Sequence, residues 1–441
     1  MPKVVKFGGS SLADANQFRK VADIIKADKH RKLVIPSAPG KRFGADVKVT
    51  DMLYGCYEAV CAGCDSVKEF MPIAARYNGI ISDLGLHLNL DKEYQTIIDN
   101  FNKKSGVDYA ASRGEYLNGI ILANFLGFKF VDAAQVIFFN TDGSFDAELS
   151  DATLSLKLKG IKNAVIPGFY GSMPDGRIKT FSRGGSDFTG AVVARAVNAV
   201  VYENWTDVSG VLVADPRIVN NPKVIDSLSY RELRELSYMG ATVLHEDAIF
   251  PVRRAGIPIN IKNTNEPCAA GTMIVPETAD LPDPAHIITG IAGKKNFAAI
   301  TLEKDEMNSE IGFFRRILTL LETEKISFEH IPTGIDTMTL VISNENLAKS
   351  PKLVEKIEKV AKPNHIEVED DIALIAVVGR GMRHKRGTAT RVFAALSHAN
   401  INIRIIDQGS SELNIIVGVH EEDFENAVKV IYDMFILSAK G

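Results

Sequence analysis

Short apolar runs alternate with stretches of helical periodicity over residues 1 to about 285. KVVKF, KLVIP, FKFVDAAQV, NAVIPGF, NAVVYENW and IPINI read as strands. Between them, FRKVADIIKA and FTGAVVARAVNA gather their apolar positions on one helical face. This alternation predicts an α/β domain, a three-layer αβα sandwich with a mostly parallel central sheet. In such sheets ligands bind at the C-terminal strand ends, where the loops gather. KFGGSS, VIPSAPGK, VIPGFYG and NWTDVSG each follow a strand directly and are expected on that one rim.

The texture changes after PETADLPDPA (276–285), whose proline and acidic content predicts a linker. The remainder of the chain repeats itself with a shift of 75: Met307 falls on Met382, Gly312 on Gly387 and Gly334 on Gly409. The apolar set Phe314, Ile317, Leu318, Leu321 falls on Ala389, Val392, Phe393, Leu396, both with the spacing of one helix face. Ile326 and Phe328 fall on Ile401 and Ile403, with strand spacing. Agreement of glycines and of both periodicities indicates a duplication. Each copy reads βαββαβ. The first runs from FAAITLE to HIEVEDD. The second runs from ALIAVVG to FENAVKVIYDMF and lacks a last strand. HIITGIAGKKN (286–296) is a spare strand ahead of copy one. It is expected to complete copy two, so that copy one is inserted within copy two.

Composition narrows the function classes. The 441 residues suggest two to four domains. A net charge of −4 argues against a general nucleic-acid surface, so no nucleic-acid partner is expected. No apolar run is long enough for a membrane span, and the opening residues are expected to enter a strand without a signal-peptide core. Four cysteines make no disulfide framework, so a reducing cytoplasmic location is expected. Cys56, Cys61 and Cys64 read as small apolar residues on a helix rather than as ligands.

The rim loops carry the candidate chemistry. Lys6 ends a strand and precedes Gly8 and Gly9, where backbone amides would approach a phosphate. Ser10 and Ser11 are expected to cap the following helix. A plain strand–helix turn with a solvated lysine is the other reading, since the loop fits neither G-x-x-x-x-G-K-S/T nor G-x-G-x-x-G. A second double glycine follows Arg183 in TFSRGGSD and precedes a long apolar helix, with Ser186 and Asp187 at its N-cap region. Two such turns suggest opposing grips on one substrate pair. In NWTDVSGVLVADPR the candidates are Thr206, Asp207, Asp215 and Arg217. In ASRGEYLNG, Glu115 is expected just inside a helix, where the dipole favours an acid.

Together, KFGGSS, VTD (49–51), SRGE (112–115), FSRGGSD, WTDVSGVLVADPR and KNTNEPCAAGT (262–272) resemble the aspartate kinases of the amino acid kinase family. The duplicated unit is similar to their paired ACT domains. The resemblance implies a catalytic domain over 1–285, an inserted ACT domain over 297–370, and a second ACT domain from 286–296 plus 371–441. It implies phosphorylation of L-aspartate by ATP with Mg²⁺, the first step toward lysine, threonine, methionine and diaminopimelate. It assigns catalysis to Lys6 and Asp187. Lys6, Gly8, Gly9, Ser10, Thr206, Asp207, Leu212, Arg217 and Lys262 would hold ATP. Ser37, Thr50, Glu115, Phe169, Arg183 and Ser186 would hold aspartate, Arg183 on the α-carboxylate and Glu115 on the ammonium. No protein metal site is implied, Mg²⁺ arriving with the nucleotide.

For regulation the resemblance implies an amino-acid effector, lysine first and threonine second. Met307, Phe313, Phe314, Ser327, Phe328, Glu329 and Thr333 match the effector-lining segments, while core packing is the other reading of Met307 and the phenylalanines. At least a dimer through the ACT domains is expected. With the sequence ending at residue 441, the homoserine dehydrogenase fused in some relatives is not expected. Two departures stand out. The loop SAPGKRFGADVKVTD is long, which raises the question of Lys41 and Arg42 at the substrate. Leu212 stands where tyrosine is frequent. A glutamate or acetylglutamate kinase and a non-catalytic ACT-based sensor are the alternatives.

Overall fold

The computed structural model describes residues 1–441 except Arg183, 242–243, His245, 277–286, His384 and 438–441, and the side chains of Glu246 and Asp247. The linker expected at 276–285 therefore lies, apart from Pro276, outside the described residues. The chain divides into two compact units. One comprises Met1–Val211, Val224–Tyr230 and Thr242–Ala279, the other Leu212–Lys223, Arg231–Ala241 and Asp280–Gly441.

The first unit opens with β1 (Lys3–Phe7), α1 (Ala15–Lys26) and β2 (Arg31–Pro36), then the helices α2 (Val49–Cys61), α3 (Ser66–Asp83), α4 (Asp91–Asn102) and α5 (Val107–Leu126). It continues through β3 (Lys129–Phe130), β4 (Phe138–Phe139), β5 (Phe145–Asp146), α6 (Ala147–Leu158), β6 (Ala164–Val165), β7 (Tyr170–Ser172), β8 (Ile178–Thr180), α7 (Gly185–Ala196) and β9 (Tyr202–Thr206). β10 (Ser227–Ser229), α8 (Tyr230–Tyr238, in the second unit from Arg231), α9 (Glu246–Ala255), β11 (Ile259–Asn263) and β12 (Thr272–Val275) follow. The eight-stranded sheet runs β10-β12-β11-β9-β1-β2-β6-β3, and only β11 and β12 pair antiparallel. The parallel run puts the loops after β1, β2, β6 and β9 on one edge.

The side-chain period of two sorts the central strands. Val5, Phe7 and Trp205 turn to the face covered by α1, α3 and α5, where Phe18, Val21, Tyr77 and Leu117 complete the core. Lys6 and Asn204, register partners on β1 and β9, turn to the other. Capping differs from the expectation. Asp14 caps α1, accepting from the Asn16 and Gln17 amides at 2.9 and 3.0 Å. Ser11 is instead buried, its hydroxyl 2.7 Å from that of Thr264. Two expected strands are short. Asp132 accepts from the Ala134 amide and turns FKFVDAAQV into a 3₁₀ segment after β3. Pro167, with no N–H, follows β6 closely. A small sheet of order β5-β4-β7-β8 was not expected. Phe139 and Phe145 of this sheet pack with Phe181 and Phe188 in edge-on and tilted ring contacts at 4.6 to 6.3 Å. Of the clustered cysteines only Cys56 is a core residue; Cys61, the last residue of α2, and Cys64 beyond it are exposed.

In the second unit β13 (Gly290–Glu303), α10 (Phe313–Thr323), β14 (Thr337–Ser343), α11 (Asn344–Ala348), α12 (Leu353–Ala361) and β15 (His365–Val378) precede α13 (Thr388–His398), β16 (Ile405–Asp407), β17 (Asn414–His420) and α14 (Phe424–Tyr432). They build one antiparallel sheet, β14-β13-β15-β17-β16. The strand before copy one and the first strand of copy one are a single β13. Gly290–Lys294 pairs with Leu374–Val378, and after a register shift Phe297–Glu303 pairs with the first half of β15 and with β14. SFEHIPTG forms no named strand, only bridges at His330 and Thr333. The buried stripe of α10 keeps Ile317 and Leu321 of the expected set and takes Phe313 in place of Phe314, with Phe314 and Leu318 partly exposed.

Candidate active site

Lys6 lies near the C-terminal end of β1 and is buried, with its ammonium 2.7 Å from Asp187 Oδ1. Asp187 sits in the first turn of α7, behind the N-cap Gly184, whose φ of 58° is left-handed. It caps nothing. The Asn204 amide on β9 donates to the same Asp187 oxygen at 2.8 Å, and the Tyr202 hydroxyl donates to the Asp187 carbonyl at 3.2 Å. Sequence reading missed Asn204. A signal was there: YENW places two polar residues in a strand that should be continuously apolar if both faces are buried.

After β1 the chain turns through Gly8, whose amide donates to the Trp205 carbonyl at 3.0 Å. A Cβ on Gly9 would meet the Ala38 carbonyl at 2.9 Å, and one on Gly40 the Gly9 carbonyl carbon at 2.6 Å. Only two glycines allow this approach of the loops after β1 and β2, which the Gly40 amide closes with a 2.8 Å bond to the Gly9 carbonyl. No described acceptor takes the amides of Gly9 and Ser10. Arg76 of α3, buried, donates to the Ala13 and Gly40 carbonyls at 3.0 and 2.9 Å and to Asp46 at 2.8 Å. Asp46 also takes the Arg42 guanidinium at 2.7 Å, and these arginines hold its carboxyl far below the usual range. Arg42 is thus spent on its own loop, and Lys41 is exposed. Arg76 is a second residue the sequence reading missed.

The same loop reaches the predicted aspartate pocket. Glu115 lies in the middle of α5, not just inside a helix, and is buried. Burial pushes its carboxyl up to about 7, against the Ala38 amide, its own amide and Arg113. Its Oε2 is buried without a partner among the described residues. The Thr50 hydroxyl in the first turn of α2 is 3.9 Å from where a Cβ on Gly114 would lie. The Ser37 amide donates to the Phe7 carbonyl at 3.0 Å, and Asn118 of α5 donates to the Ser37 carbonyl at 2.6 Å. Phe169 has a φ of 80°, a strained value for a non-glycine residue, fixed by a 3.1 Å bond from its amide to the Thr189 hydroxyl on α7. Ser186, buried, is its neighbour across Gly168. Arg183 lies outside the described residues. Arg113, between Glu115 and Ser112 in sequence, turns away into the rings of Tyr109, Tyr116 and Tyr170 at 4.6 to 5.2 Å.

The predicted nucleotide residues are divided between the two units. The Thr206 hydroxyl donates to Asp207 at 3.2 Å at the end of β9. Lys262 of β11 gives its ammonium to the Ala269 carbonyl at 2.5 Å and lies 5.3 Å over the Trp205 ring, and burial lowers its pKa. Leu212 and Arg217 fall in the segment assigned to the second unit, where Arg217 is exposed and pairs with Asp215 at 2.6 Å. Among the described residues no three His, Cys, Asp or Glu side chains are grouped to hold a metal, and no helix is long and apolar enough to cross a membrane.

In the second unit Met307 and Phe313 are core residues, while Phe314 and Phe328 are partly exposed. Ser327 accepts from Asn346 at 2.8 Å, Thr333 bridges to Met338, and Glu329 takes the Tyr238 hydroxyl. Burial and then Glu329 push that phenol up to about 12.

The sequence profile of the amino acid kinase family matches residues 1–263, and that of an ACT domain residues 375–435. Aspartokinase 3 of Bacillus subtilis (strain 168) is 39% identical over 98% of this chain and 98% of its own. The crystal structure of Clostridium acetobutylicum aspartate kinase superposes with a TM-score of 0.91 at 54% identity, covering 98% of this chain and 100% of that one. Escherichia coli aspartokinase III, solved with aspartate and ADP, gives 0.74 at 26% identity over 98% and 99% of the two chains. Solved with lysine and aspartate it gives 0.72 at 26% identity over 99% of both.

Proposed function

Because the chain belongs to the amino acid kinase family and, within it, to the aspartokinases, we propose that it transfers the γ-phosphoryl group of ATP to the side-chain carboxylate of L-aspartate. The products are ADP and 4-phospho-L-aspartate. The observation that carries this reading is the joining of two sites by one loop: Lys6 with Asp187 beside Gly8–Gly9, and the buried Glu115 held by Ala38. The acceptor carboxylate is already ionised near neutral pH, so the chemistry needs charge screening and positioning rather than a base. A carboxylate oxygen bonds to phosphorus, the bond to the β-phosphate oxygen breaks, and ADP leaves with its electron pair.

The residues divide that work. Lys6 puts a positive charge between two anions, with Asp187 fixing its ammonium while leaving other N–H donors to the phosphoryl oxygens. The open amides of Gly9 and Ser10 suit phosphate oxygens, with Gly8 giving room. Mg²⁺, carried by the nucleotide, would neutralise phosphate charge. Thr206, Asp207, Leu212, Arg217 and Lys262 are assigned to the nucleotide, Lys262 after release from its carbonyl partners. Glu115 pairs with the substrate ammonium through its unpartnered Oε2, and Arg183 with the α-carboxylate. Ser37, Thr50, Phe169 and Ser186 complete the pocket.

The second unit is assigned to two interleaved ACT domains, 297–370 and 286–296 with 371–441, which bind a regulatory amino acid and join subunits into at least a dimer. Lysine is the effector the E. coli complex favours, its ε-ammonium meeting Glu329 in competition with Tyr238; threonine is second. The enzyme is assigned to the cytoplasm and to the first step toward lysine, threonine, methionine and diaminopimelate. The test is incubation with Mg-ATP and aspartate, glutamate or acetylglutamate, trapping acyl phosphate with hydroxylamine. Hydroxamate from aspartate alone is expected, and its absence would overturn the assignment. Repeating the assay with lysine and threonine identifies the effector. Arg183→Ala is expected to raise the aspartate KM, and normal aspartate saturation would remove its role.

A further inference from the structure

Asp187 receives two donors on one oxygen. Lys6 Nζ is 2.7 Å from Oδ1 and Asn204 Nδ2 is 2.8 Å from the same atom. Lys6 and Asn204 are direct register partners on β1 and β9, and both are buried. The Asp187 side chain is thus gripped from two adjacent strands. Its backbone is gripped as well: the Tyr202 hydroxyl, two residues before Asn204 on the same strand face, donates to the Asp187 carbonyl. α7 lies close enough that a Cβ on Gly190 would meet that hydroxyl at 2.6 Å. Oδ2 has no hydrogen-bond or ion-pair partner among the described residues.

From this geometry we infer that Asn204 is a positioning residue for phosphoryl transfer. It saturates Asp187 Oδ1 with a neutral donor, which fixes the carboxylate plane and the direction of the Lys6 ammonium. The inference rests on the roles proposed for Lys6 and Asp187. Neutrality matters: the site must hold one negative charge against one lysine while two further anions approach. A cationic donor at position 204 would compete for Asp187, and an anionic one would repel it. An amide supplies a hydrogen bond without altering the charge. Asn204 acts through Asp187 and Lys6 and contacts neither substrate.

The test uses the full chain in the hydroxamate assay with Mg-ATP and aspartate. Lys6→Met and Asp187→Asn are run in parallel. Asn204→Leu keeps the volume and removes the donor; kcat is expected to fall on the order of 10- to 100-fold with both KM values nearly unchanged. Asn204→Asp places a second carboxylate against Oδ1, so the two must share a proton. The ionisable side chains facing that pair among the described residues are Lys6 and, at the backbone, the Tyr202 phenol. Its kcat is expected near the parent value at the acid end of the profile, where the proton is held. It should fall as pH rises and the proton is lost, a limb the parent lacks. If Asn204→Leu does not fold, the Asn204→Asp profile decides. A parental kcat and pH profile in Asn204→Asp, with Lys6→Met and Asp187→Asn inactive, overturns the role of Asn204 alone. Activity retained in Lys6→Met and Asp187→Asn overturns the proposed site itself.

Discussion

Glu203 and Asn204 are neighbours on one strand and face opposite sides of the sheet. On Glu203's side the polar network is closed. Its carboxylate takes Lys3 at 2.9 Å, Arg31 at 2.8 Å and the Trp205 indole at 2.9 Å. Burial would push that carboxyl up, but Arg31 and Lys3 outweigh it and hold it below its ordinary value. On Asn204's side the network is open among the described residues: Asp187 keeps one oxygen without a partner there, Lys6 keeps donors to spare, and the Gly9 and Ser10 amides have no described acceptor. Both sets are charged and buried in one sheet. A closed set specifies structure, because every donor and acceptor is spent inside the protein. An open set is left for something that arrives.

The contrast can be broken experimentally. Lys6→Ala should have the largest effect, lowering kcat about 10³-fold with modest change in thermal stability, if the charge lost has the proposed role on the transferring group. Measured kcat and Tm check both halves; a large Tm loss with intact kcat would reverse the assignment. Glu203→Leu should do the opposite. It strands Arg31 and part of Lys3, which also pairs with Asp28, and should cost about 3 kcal/mol in urea unfolding while kcat of the folded fraction stays near the parent. Glu115→Gln should raise the aspartate KM roughly 10- to 100-fold, the loss of one charged hydrogen bond, with little change in ATP KM.

Glu115 also sets a pH dependence. Its carboxyl, raised to about 7, can pair with the substrate ammonium, the role proposed for it, only when ionised. kcat/KM for aspartate should therefore fall as pH drops through about 7, and the limb should vanish in Glu115→Gln. Stability runs the other way. A folded pKa above the ordinary carboxylate value gives stability that is complete at low pH and lost as pH rises through about 7. At pH 8 and above Glu115→Gln should gain roughly 1–3 kcal/mol in denaturant titration. The smallest effect on activity is expected for Trp205→Phe, which keeps a ring beside Phe7 but loses the indole donor to Glu203 and part of a fully buried side chain. About 2 kcal/mol of stability should go, from the unmade hydrogen bond and the cavity, with activity unchanged.

Much of the fold was legible because period and turn chemistry are local properties. KVVKF, KLVIP and IPINI sit where their apolar runs put them, and α1 and α7 follow their helical stripes. Legibility failed where a distant partner decided the matter. Ser11 would suit a cap but is claimed by Thr264, and Asp14 takes the cap. Met307 and Phe313 carry no local mark separating core from ligand surface, and packing against the five-stranded sheet of the second unit places them in the core. Asn204 and Arg76 belong to no glycine motif; their partners are on α7 and on the loops after β1 and β2.

The sequence by itself determined the strand–helix alternation, the glycine turns after the strands, the duplication, and which residue types could carry phosphoryl chemistry. Each follows from residues close in the chain. Only the tertiary structure decided that Lys6 meets Asp187, that Glu115 is stripped of water and raised to about 7, and that Gly9 and Gly40 touch. The reason is physical: charge, desolvation and close approach depend on what lies within a few ångströms in space, and parallel strands bring together residues far apart along the chain.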